Sequence, residues 1–136
     1  MQFNKDRALN ANWAMGWLAA CIALAGCSSG GSVQATGSED QAKQAVQQML
    51  DAWKSGTPVT DFAAAHQETV VGDEDWQAGT VLAGYKLIEP ATLNGSHWRQ
   101  KTELQLKGKG KSKPVIAIYA VTLGEKTVIL RSDFQY

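Results

Sequence analysis

Hydrophobic and polar positions change period part-way along the chain, and the change divides it into elements. From Ser38 to Lys54 apolar residues recur at helical spacing, placing Ala42, Ala45, Val46, Met49, Leu50 and Trp53 on one face. Ser38 and Gln41 have the spacing of a capping box. Glu39 and Asp40 suit the positive end of a helix, Lys54 suits the negative end, and Gly56 can end it. Pro58 then opens a short second helix, PVTDFAAAH, presenting Val59, Phe62 and Ala63. From about Thr80 the period becomes two. Asn94-Gly95 is a strong two-residue hairpin signal. As a turn it pairs Leu93 with Ser96, Ala91 with Trp98, Leu87 with Thr102, Tyr85 with Leu104 and Ala83 with Leu106 on one face, and Lys86 with Glu103 on the other. A second hairpin around Gly124-Glu125 pairs Val121 with Val128 and Tyr119 with Leu130, and Pro90 marks a bend or an edge. No internal repeat is evident. The pattern predicts an α+β domain: one long and one short N-terminal helix packed on a curved four-stranded antiparallel sheet.

Ahead of this domain lies WAMGWLAACIALAG, from Trp13 to Gly26, preceded by Lys5 and Arg7. A basic segment before an apolar run of this length has the form of a secretory signal. A membrane span takes about 20 apolar residues, so the run is too short for one. It ends in Leu24-Ala25-Gly26-Cys27, which resembles the lipobox of bacterial lipoproteins. That resemblance implies diacylglycerol on the sulfur of Cys27, cleavage after Gly26 and acylation of the new amino group. Leu18-Ala19-Ala20-Cys21 fits more loosely, with an apolar run of only Trp13 to Ala20. A plain signal peptide with an incidental cysteine is the bland alternative. Ser28 after Cys27 implies sorting to the outer membrane of a Gram-negative-type bacterium, facing the periplasm. The chain thus reads as a signal peptide over 1–26, a tether over 27–37 and a domain over 38–136. SSGGSVQATG, from Ser28 to Gly37, is too small and polar to bury a core and suits a flexible spacer.

Cleavage after Gly26 leaves 110 residues, enough for one core. Cys27 is then the only cysteine, and its lipidation excludes disulfides, thiolate catalysis and zinc-cysteine sites. That portion carries eleven basic and twelve acidic side chains, which gives no reason to expect a nucleic-acid partner. No phosphate-binding glycine loop, nucleophile elbow or metal-ligand cluster is present, and no cofactor or metal is expected.

The order of long helix, short helix and long hairpins resembles the nuclear transport factor 2-like superfamily, and small Gram-negative lipoproteins thought to carry that fold. The resemblance implies a cone whose concave face binds ligands, although the usual third helix has little room between His66 and Thr80. On that face the first hairpin sets Glu89 opposite Gln100, beside Thr102 and between Tyr85 and Trp98. With Tyr119, these six form a candidate ligand-binding set. The alternative leaves Glu89 wet at the rim. His97 falls on the outer face opposite Thr92, and His66 suits the C-terminus of the short helix. GDEDW (Gly72 to Trp76) reads as a solvated turn or helix start rather than a calcium loop. KGKGKSK (Lys107 to Lys113) reads as a soluble connection guarding an edge; extended, it would offer four lysines to lipid head groups or an anionic glycan.

The leading expectation is therefore a non-enzymatic, membrane-tethered domain with no catalytic residues, binding a small molecule or a protein partner. A cyclase- or isomerase-like enzyme with Glu89 as base and Tyr85 or Tyr119 as oxyanion donor is one alternative. A structural envelope protein that self-associates, a homodimer at its simplest, is another.

Overall fold

Ser38 closes the capping box as its spacing requires: its hydroxyl accepts from the Gln41 N–H at 3.3 Å, and Gln41 Oε1 accepts from the Ser38 N–H at 2.9 Å. Helix α1 (Glu39–Lys54) follows, burying Ala42, Val46, Met49, Leu50 and Trp53 on the face anticipated above. The structure is a computed structural model, and it describes residues 35–108 and 114–132. Cys27, the apolar segment before it, most of the tether, and Lys109 to Lys113 of the lysine-rich stretch lie outside the described residues.

After α1 come α2 (Val59–Ala65), β1 (Thr69–Gly72), the one-turn α3 (Glu74–Gln77), β2 (Val81–Leu87), β3 (Thr92–Asn94), β4 (His97–Lys107), β5 (Pro114–Thr122) and β6 (Thr127–Arg131). On α2, Phe62 is buried while Ala63 is exposed. The α+β class holds, but the described residues form three helices and six strands rather than two and four. The sheet is mixed and curled, in the order β1-β6-β5-β4-β2, with β3 also paired to β4. The added strand β1 lies parallel to β6, setting Val71 beside Ile129. Four residues are too few to show an alternation, and a partner almost 60 positions away leaves no local trace.

The first hairpin keeps its predicted register only in the middle, where Tyr85, Lys86 and Leu87 oppose Leu104, Glu103 and Thr102. A bulge at Ala83 brings Leu82, not Ala83, opposite Leu106, and Leu82 is the buried one. Beyond Leu87 two extra residues loop out around Pro90. The turn is Gly95-Ser96, so Leu93 opposes Trp98, and His97 faces Asn94 rather than Thr92. A slip of two leaves every side chain on its predicted face.

The second hairpin slips by one, and there the faces exchange. Val121 opposes Ile129, and Tyr119 opposes Arg131. The connection spans Leu123 to Thr127, an odd number of residues, because Leu123 folds back onto the core. Ile129 is fully buried and Leu130 is 47% exposed. Replacing Ile129 by Ala should cost about 2–4 kcal/mol, and Leu130→Ala about 1 kcal/mol or less. Urea unfolding midpoints at constant m decide this; a larger loss for Leu130 would restore the tighter turn.

Candidate functional site

The six residues singled out from the sequence do not gather around one opening. Tyr85 donates its hydroxyl to Asp51 Oδ1 of α1 at 2.7 Å; burial, aided by this carboxylate, pushes its pKa up to about 12. Glu89 lies in the bend after β2, its side chain 56% exposed, and accepts from Lys101 Nζ at 3.3 Å. It therefore does not oppose Gln100 in the ladder. Instead the fully buried Gln100 donates through Nε2 to the backbone carbonyls of Glu89 (2.6 Å) and Lys101 (3.0 Å), stitching the looped-out residues to β4. Thr102 and Tyr119 are also fully buried, and Trp98 is half-buried. Trp98 Nε1, Gln100 Oε1 and Thr102 Oγ1 have no hydrogen-bond partner among the described residues, and they alternate along the inner face of β4. His66 caps α2, its ring centroid 4.5 Å from that of Phe62, with Nδ1 3.5 Å from Gln48 Nε2 and 3.8 Å from Glu68.

Tyr119 leads to a cluster that the sequence reading did not assemble. Its hydroxyl donates to Asp73 Oδ2 at 2.7 Å, and Asp73 Oδ1 accepts from the Trp76 N–H at 3.1 Å. Arg131 Nη1 lies 3.6 Å from Asp73 Oδ1 and also pairs with Asp75. GDEDW is indeed a helix start, with Asp73 as its N-cap, but Asp73 is 1% exposed rather than solvated. Asp73 and Asp75 therefore face a common cation, Asp73 from the interior and Asp75, its side chain 37% exposed, from the surface.

The cap fixes α3, and α3 carries Trp76 against Trp53. Their ring centroids are 5.8 Å apart with planes 16° from parallel. Trp53 Nε1 donates to the Thr80 carbonyl at 2.8 Å, and Trp76 Nε1 donates to the Thr57 carbonyl at 2.9 Å. The exchange is reciprocal because the two helix ends are copies: Trp53-Lys54-Ser55-Gly56-Thr57 and Trp76-Gln77-Ala78-Gly79-Thr80 share the pattern W-x-x-G-T. Each ends in the same cap, with Thr57 N–H on the Ala52 carbonyl and Thr80 N–H on the Asp75 carbonyl. That cap needs left-handed backbone, found at Gly56 (φ +87°) and Gly79 (φ +80°), where glycine alone avoids a steric cost. The sequence thus contains a five-residue repeat after all, too short to stand out without its partner in space.

Between these two turns lies a cleft of about 330 Å³, walled by Trp53, Trp76, Pro58, Val59 and Val81 with hydroxyls from Thr57, Thr60 and Thr80. Among the described residues no ionisable side chain lines it. Val81, 52% exposed, stands at its edge. A volume of this order with apolar walls and a few polar groups suits a small neutral molecule. Comparison of the chain with protein-family models, with curated proteins and with solved structures found no match, so the geometry carries the reading.

Replacing either indole by Phe removes one donor and leaves a threonine carbonyl without its bond, at a cost of about 1–3 kcal/mol. Because the two bonds brace the same pair of turns, the double variant should lose less than the sum of the singles. Additive losses in chemical denaturation would mean that the two indoles act independently.

Proposed function

We propose that this chain is a lipid-anchored envelope protein whose domain binds a small, neutral, largely apolar molecule in the cleft between Trp53 and Trp76. The cleft itself carries the binding half: it is open, uncharged among the described residues, and held by a hydrogen-bonded clasp rather than by mobile side chains. The lipobox-like run ending in Cys27 supports the anchor. Two or three acyl chains on that residue would hold the domain at a membrane, since each buried methylene contributes about 0.8 kcal/mol. Among the described residues no helix is long and apolar enough to cross a bilayer. Placement in the outer membrane facing the periplasm follows from Ser28 in the same reading.

Binding in place of catalysis is favoured by where Glu89 sits. As a base it would need to face Tyr85 or Tyr119, whereas its carboxylate meets Lys101 and the two tyrosines are committed to Asp51 and Asp73.

The two halves of the proposal are tested separately. Metabolic labelling with radioactive palmitate should mark the protein, and Cys27→Ser should abolish the label; an unlabelled wild-type protein would remove the anchor, and a label retained by the variant would remove Cys27 as its site. For the cleft, the uncharged fluorophore N-phenyl-1-naphthylamine should be excited by energy transfer from tryptophan. Val81→Arg, which sets a charge at the rim, should weaken its binding about tenfold or more. Equal uptake by the variant would rule the cleft out.

A further inference from the structure

At the opposite end of α1 the surface has a different chemistry. A groove of about 420 Å³ runs between the first half of α1 and the connection from β5 to β6. Gln41, Gln44 and Gln48 line its helical side, Thr36 and Thr127 add hydroxyls, and Leu123 forms an apolar floor. Among the described residues no ionisable side chain lines it, which leaves an ionic ligand without a counter-charge.

The three glutamines fall at i, i+3 and i+7, so they share one helix face and span about 10 Å along the axis. Two of them are already oriented. Gln41 Oε1 is engaged by the Ser38 N–H at 2.9 Å, which leaves its NH₂ to donate. Gln48 turns Nε2 toward His66 Nδ1 at 3.5 Å, which leaves its carbonyl oxygen to accept. Gln44 between them offers both. A ligand matching this line must itself donate and accept at short intervals, carry no charge, and present an apolar face to Leu123. Hydroxyls on a ring with C–H faces meet all three requirements.

We infer that the groove between α1 and the β5–β6 connection is a second binding site, and that it takes a neutral oligosaccharide of two or three units. It is independent of the tryptophan cleft and of the lipid anchor. Among the described residues no aromatic platform lines it, so affinity comes from amide and hydroxyl bonds and is weak. Gln44 and Gln48 are exposed and can be changed without touching the capping box, which Gln41 holds.

The test is a titration of the isotope-labelled full chain, in a sugar-free zwitterionic detergent, with maltotriose, chitotriose and, separately, inorganic phosphate. At least one saccharide should move the side-chain NH₂ signals of Gln41, Gln44 and Gln48 saturably, at millimolar concentration. Gln44→Ala and Gln48→Ala should each weaken binding by about 2- to 10-fold, as loss of one hydrogen bond does, at unchanged melting temperature. The proposal is overturned by shifts that fail to saturate with either sugar, by shifts confined to Trp53 and Trp76, by tighter binding of phosphate, or by unchanged affinity in both variants. Because the readout is the glutamine amides, failure here leaves the fluorophore experiment on the other cleft undisturbed.

Discussion

A fully buried carboxylate must find partners, and Asp73 finds three: hydrogen bonds from the Trp76 backbone N–H and the Tyr119 hydroxyl, and an ion pair with the Arg131 guanidinium. Each comes from a different element, so one side chain ties the end of β1 and the start of α3 to β5 and β6. Removing one partner from a buried ion pair leaves an uncompensated charge, which typically costs about 3–5 kcal/mol. The constraint therefore has direction: α3 is only one turn long and has little helical stability of its own. It exists where it does because Asp73 caps it there.

What α3 supplies is Trp76. Once that ring is stacked on Trp53, the two indole N–H groups cross to the carbonyls beyond the opposite helix end, and the two glycine-capped turns become the rims of a cleft. Phe62 packs against Trp76 with ring centroids 5.5 Å apart and brings α2 into the same cluster. The chain of dependence thus runs from a buried charge to a short helix, from that helix to an aromatic pair, and from the pair to an open, uncharged surface. The inner face of the sheet, which carries Gln100, Thr102 and Tyr119, is covered by the apolar side of α1 and filled by Met49, Leu50, Leu104 and Ile129. Both grooves lie outside that core, at the two ends of α1, and each takes its character from the residues where a helix begins or ends.

Local patterns carried much of this. The face of α1, its capping box, the extent of α2 and the middle of the first hairpin depend on spacings of three to four or of two, which neighbouring residues impose on one another. Where the sequence reading failed, a distant partner had intervened. Leu123 returning to the core lengthened a turn by one residue and exchanged Ile129 for Leu130. Gln100 satisfied the Glu89 carbonyl, which a regular ladder would have paired, and this allowed the bend around Pro90 to hold two more residues.

The amino-acid sequence by itself determined α1 with its capping box, the extent of α2, the alternation of the long strands and the α+β class, because each follows from interactions within a few residues. Only the tertiary structure decided that β1 joins β6, that Asp73 meets Tyr119 and Arg131, and that two copies of W-x-x-G-T clasp each other. Such pairings join residues from 19 to 56 positions apart or more. They form because burial leaves each polar group no solvent to turn to, a condition that exists only once the chain has closed around it.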